Sequence, residues 1–128
     1  MKAQTSTEFL VLVSILVLIS LVFYFSIIPF LQQAYHSRIK KHAEEICKFV
    51  ANELNLAYQV GDGYRRKFFI EEKLLGFKNY TIDFQNFSIF VDWNGWSVVC
   101  PTQVGRVNGR IHKGWNYIKN VKGEIYIE

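Results

Sequence analysis

Any reaction this chain performs would have to come from a small set of reactive side chains. Its three histidines are His36, His42 and His112. His36 and His42 stand six residues apart, a step that turns them onto different faces of a helix. His112 is isolated in a segment of strand-like pattern. Two cysteines, Cys47 and Cys100, are too few for a zinc cluster or a disulfide-dense scaffold. No nucleophile stands with a base and an orienting group, and no glycine-rich phosphate loop is present. The sequence therefore predicts no catalytic residue, no metal ligands and no cofactor, and a role other than that of an enzyme.

What remains is the chemistry of association and modification. Glu8 is a lone carboxylate at the edge of Phe9–Ile28, FLVLVSILVLISLVFYFSII, a run with three serines and no charge. A carboxylate beside packed apolar helices is costly unless paired. Glu8 therefore meets a cation, favours the positive end of its own helix dipole, or does both. Cys47 and Cys100 either pair, tying helix to sheet for about 4 kcal/mol on the chain-entropy model, or stay as two buried thiols. An oxidising exterior permits both. Asn79-Tyr80-Thr81 and Asn86-Phe87-Ser88 match the N-glycosylation acceptor pattern, which makes Asn79 and Asn86 candidate glycan sites if exposed. Tyr64, Phe68, Tyr80, Phe84, Phe90 and Trp115 suit a small core, whereas Trp93 and Trp96, flanking a turn, are expected to form an exposed pair. The net charge of +4 is mild, with both signs interspersed. It predicts no specific nucleic-acid partner, although a basic, aromatic head capturing nucleic acid would do so with strong salt dependence.

The elements that hold these residues follow from the hydrophobic period. About twenty apolar residues at ~1.5 Å rise span the ~30 Å hydrocarbon core of a bilayer. The serines can bond backbone carbonyls one turn back. Pro29 ends the run and is expected to kink a helix that continues beyond it. The run is too long for a removable secretory signal, and no small-residue cleavage site follows it. Flanking charge alone, Lys2 before and Arg38, Lys40 and Lys41 after, would leave the rest of the chain in the cytoplasm. Next, Tyr35, Ile39, Ala43, Ile46, Val50, Leu54 and Tyr58 recur at steps of three and four. Arg38, Lys41, Glu45, Lys48, Asn52 and Asn55 lie opposite, and Gly61-Asp62-Gly63 closes the helix.

From Tyr64 the period is two. Strands are expected over Tyr64–Ile70, Asn79–Phe84, Phe87–Trp93, Trp96–Cys100, Gln103–His112, Asn116–Val121 and Glu124–Ile127. A turn or short helical stretch is expected over Glu71–Gly76, and Asn94-Gly95 is a hairpin turn. The fold class is α+β: a long N-terminal hydrophobic and amphipathic helix packed by a small antiparallel β-sheet head.

The opening residues MKAQTSTEFLVL resemble the class III signal peptide of archaeal type IV pilin-like proteins, a short basic leader followed by Q-x-S-x-E-x-x-x-L. Gln4, Ser6, Glu8 and Leu12 fill the motif. The resemblance implies cleavage between Ala3 and Gln4 by a prepilin peptidase on the cytoplasmic side, with the apolar helix retained, and it overrides the flanking-charge orientation. The implied organisation is a leader over 1–3, a transmembrane and polymerisation helix over 4–30, an amphipathic helix over 31–60 and an antiparallel β-head over 61–128. The new α-amine on Gln4, with a pKa of about 8, would meet Glu8 of a neighbouring subunit and fix one axial register. GDGYRRKFFI, GFKNYTIDF and GWNYIKNVKGEIYIE are similar to the β-heads of small class III archaeal proteins, which are commonly glycosylated. The implied function is that of a major or minor pilin, inserted in the membrane as a precursor and then part of an extracellular filament serving adhesion. Its partners would be the peptidase, the membrane before assembly, and other copies of itself or related pilins. The rival from another class is a membrane-anchored extracellular binding or assembly accessory module that never polymerises.

Overall fold

The computed structural model describes residues 2–75 and 79–128. Gly76, the last residue of the expected turn, lies outside them, as do Phe77 and Lys78 of GFKNYTIDF. One helix, α1, covers Lys2–Val60. The chain divides into two units, Met1–Ser37 and Arg38–Glu128, and each is described by itself.

In the first unit α1 is exposed along almost all its length, with Ile28 and Ala34 partly covered. Straight-chain and branched apolar residues keep the helix regular there, because its backbone groups are satisfied within the segment. Pro29 lies inside the helix, so it offers no N–H to the carbonyl one turn back at Phe25.

In the second unit, the same helix buries Ile39, Ala43, Ile46, Cys47, Val50, Ala51, Glu53, Leu54 and Ala57. The expected stripe is there from Ile39 to Leu54 but is broader, while Tyr35, in the first unit, is 41 % exposed. Tyr58 is 51 % exposed and Ala57 is buried in its place, because Ala57 lies nearer the centre line of the stripe. The helix ends at Gly61, whose φ of 87° is the left-handed conformation a C-terminal cap requires.

Seven strands follow: β1 (Arg65–Ile70), β2 (Thr81–Gln85), β3 (Ser88–Trp93), β4 (Trp96–Pro101), β5 (Val107–Gly109), β6 (Gly114–Val121) and β7 (Glu124–Ile127). They form two sheets, a four-stranded one of order β1-β6-β7-β5 and a three-stranded one of order β2-β3-β4. All pairings are antiparallel except β5 with β7, which is parallel. The long strand expected over Gln103–His112 is reduced to the three residues of β5. Before it, the Thr102 hydroxyl accepts the Val104 N–H at 3.3 Å, a local turn that competes with strand pairing. At its end, Gly109 has φ of 102° and sits where any side chain would overlap the Ile127 carbonyl oxygen.

Two-residue turns with positive φ join the hairpins at Asn94-Gly95, Lys122-Gly123 and Asn86-Phe87. The last of these takes Phe87 out of the strand that the alternating pattern assigns to it. Leu54, Ile70, Leu74, Ile89, Ile118 and Ile125 are the largest fully buried apolar side chains, so helix and both sheets share one core. Asn120 is buried with them. Its amide donates to the Ala57 carbonyl at 2.9 Å and accepts the Gly123 N–H at 2.9 Å, tying the helix end to the β6–β7 turn.

Candidate functional site

The motif residues Gln4, Glu8 and Leu12 follow one another at steps of four, so they share one helix face, while Ser6 falls on the other side. All four are exposed. The Thr7 hydroxyl donates to the Ala3 carbonyl at 2.9 Å. That carbonyl belongs to the peptide bond between Ala3 and Gln4, which lies within the first helical turn at exposed residues. Further along, Ser14, Ser20 and Ser26 donate to the carbonyls of Leu10, Leu16 and Val22 at 2.7, 2.8 and 2.8 Å. Each hydroxyl is satisfied within the helix, and the surface it leaves is apolar. The helix is long and apolar enough to cross a membrane, and none of its most apolar eighteen-residue window is buried. An unbroken apolar surface of that extent is not stable against water and has to be covered.

In the second unit the structure brings together Cys47 on α1 and Cys100 on β4, which form a disulfide with a Cα separation of 5.9 Å. The candidate glycan acceptors Asn79 and Asn86 are both exposed. Asn79 and Thr81 flank a buried Tyr80, so the acceptor amide and the hydroxyl of its motif lie on the same side of an extended chain. Asn86 instead occupies the left-handed turn between β2 and β3. A shallow cleft of about 560 Å³ lies beside Asn79, with Thr81, Asp92, Trp96, Ser97 and Lys113 on its walls.

The tryptophans depart from the expected pair. Alternation along β3 turns Trp93 inward with Ile89 and Val91, leaving it 6 % exposed, whereas Trp96 across the turn is 57 % exposed. Trp115, assigned to the core by its type, is 66 % exposed on β6.

Three polar side chains acquire roles that sequence reading missed. His42 Nε2 donates to the Glu71 carboxylate at 2.8 Å, and its Nδ1 accepts the Leu75 N–H at 3.1 Å. This latches the segment after β1 onto α1. Glu53 is buried with one oxygen 3.4 Å from Arg66 and the other without a hydrogen-bond partner among the described residues. Its position three residues after Val50 and four before Ala57 sets it on the apolar stripe, and that placement was the available signal. Tyr80 donates its hydroxyl to the Glu71 carbonyl. Burial, reinforced by the Glu71 charge, pushes its pKa up to about 12.

Among the described residues no group of three or more His, Cys, Asp or Glu side chains is placed to hold a metal ion. The described residues present an exposed apolar helix in the first unit and a partly aromatic surface in the second. No protein-family model matches the chain, and neither does any curated protein or solved structure.

Proposed function

We propose that the chain is the precursor of a structural subunit, major or minor, of an archaeal type IV pilus-like surface filament. One observation carries the reading. The helix of the first unit is apolar and exposed from Phe9 to Ile27, and Glu8, the single acidic residue among residues 2–37, stands at its edge within the complete Gln4, Ser6, Glu8, Leu12 pattern. Lipid covers this surface in the precursor, and the same helix of other subunits covers it after assembly.

Prepilin peptidase cuts between Ala3 and Gln4. To reach that bond it must unwind the first turn and break the Thr7 hydroxyl contact to the Ala3 carbonyl. The freed amine of Gln4 then pairs with Glu8 of a neighbour. In a water-poor helical stack an unpaired carboxylate costs several kcal/mol, so the pair selects one axial offset over others. The head, outside the stack, faces solvent and serves adhesion.

Shearing filaments from cells and identifying their proteins by mass spectrometry tests this directly. The chain is expected in the sheared fraction, and Glu8→Gln is expected to be processed and membrane-bound but absent from filaments. Recovery of the wild-type chain from membranes alone, in cells that carry filaments, would favour the anchored, non-polymerising module instead.

A further inference from the structure

The outer face of the four-stranded sheet is not used by the core or by the filament reading. Alternation turns Phe68, Ile70, Asn116, Ile118 and Asn120 inward, which leaves Phe69, Trp115 and Tyr117 on the other side. The register sets Phe69 opposite Trp115 and Lys67 opposite Tyr117. The Phe69 and Trp115 rings meet edge to face with centroids 5.4 Å apart, yet Trp115 stays 66 % exposed and Phe69 46 %. Two large rings side by side in water mark a contact surface.

Cations accompany them. Arg65 and Lys67 are exposed on the same face of β1, while Arg66 between them points to the other face, where its half-exposed side chain reaches Glu53 at 3.4 Å. On β6, Lys119 holds Glu128 at 3.2 Å and lies 5.8 Å from the centre of the Tyr126 ring. The second acidic side chain on that flank, Glu124, accepts the Tyr126 hydroxyl at 2.8 Å, so both carboxylates are already engaged. A hollow of about 550 Å³ lined by Lys67, Trp115, Asn116, Tyr117 and Glu128 opens on the face, a volume in the range of ligand sites.

We propose that this face is a stacking platform for single-stranded nucleic acid. Its occupant must present flat, weakly hydrated faces to Trp115, Phe69 and Tyr117, and negative charge to Arg65 and Lys67. Each nucleotide of a single strand presents both, whereas a duplex hides its base faces and a neutral polysaccharide has no charge for β1. Every base has a π-face, so binding is tolerant of sequence. The inference does not depend on polymerisation.

The full chain in micelles of a zwitterionic detergent, titrated into fluorescein-labelled oligothymidylate at several salt concentrations, tests it by anisotropy. Trp115→Ala is expected to weaken binding about tenfold, the effect of one lost stacked base, and Trp115→Phe to restore part of it. Replacing Arg65 and Lys67 together by alanine is expected to flatten the slope of log affinity against log salt by about 1.4, at about 0.7 per phosphate on a single strand. Trp96→Ala, which removes an exposed ring on the other sheet, leaves both quantities unchanged. The proposal is overturned by absence of binding, by equal affinity for a duplex of the same length, by displacement with a neutral oligosaccharide, or by a Trp115→Ala variant that binds like wild type.

Discussion

Tyr80 shows how much one buried hydroxyl can report. The folded head holds its phenolic proton more tightly than the unfolded chain does, with a pKa of about 12 against 10.0. The stability this contributes is therefore complete below pH 10 and is lost as the pH rises from 10 to 12. Tyr80→Phe removes the hydrogen bond to the Glu71 carbonyl and is expected to lower stability by about 1 kcal/mol at neutral pH. Chemical denaturation from pH 8 to 12 should show the gap between the two proteins closing above pH 10, whereas a constant gap would separate the phenol from that dependence. Legibility at this scale was uneven. Cysteine types and positions left Cys47 and Cys100 open between a bond and two thiols, since only tertiary packing sets them 5.9 Å apart at Cα. Glu53 escaped notice because an apolar stripe is read from its apolar members. A hairpin pattern alone does not separate Trp93 from Trp96, because it does not say which ring reaches under the sheet.

At the scale of elements, the period of the sequence carried the helix and most strands, while backbone constraints decided their ends. Asn94-Gly95 takes the left-handed turn its types favour, whereas Lys122 and Phe87 adopt positive φ although it is uncommon for residues of their types. The alternating pattern therefore extends the strand to Phe87, which the turn excludes. The parallel approach of β5 to β7 pairs strands that are not neighbours in the chain, and alternation says nothing about partners or direction. Gly109 is the residue on which that approach depends. Gly109→Ala combines an unfavourable φ with a clash against the Ile127 carbonyl, and it should destabilise the head by about 2–3 kcal/mol. Gly63→Ala, with a similar φ of 91° but open space around it, should cost only about 1 kcal/mol. Thermal melts of the two variants decide whether the close approach adds to the conformational strain. Equal losses would remove Gly109 from that role.

On the scale of the whole molecule, two demands divide the chain. The residues from Arg38 onward bury their own core, fastened by the disulfide between α1 and β4. Closing a loop of that size contributes about 4 kcal/mol on the chain-entropy model. The residues before it bury almost nothing of themselves, and their satisfied serines and apolar surface suit lipid or other helices. The apolar character of the first part is legible in the sequence, because charge, or its absence, is the strongest signal a sequence gives about where a segment can reside. The two-sheet arrangement of the head is not, since it depends on pairings between distant strands.

In the proposed filament subunit the apolar helix persists in the finished protein, minus its short leader. Sequencing the N-terminus of the chain isolated from its native cells, together with its intact mass, tests that claim most directly. The account predicts a chain that starts at Gln4 and carries every residue of the helix beyond it. A chain that starts after Ile28, or one that keeps Met1 in cells with active prepilin peptidase, would contradict it.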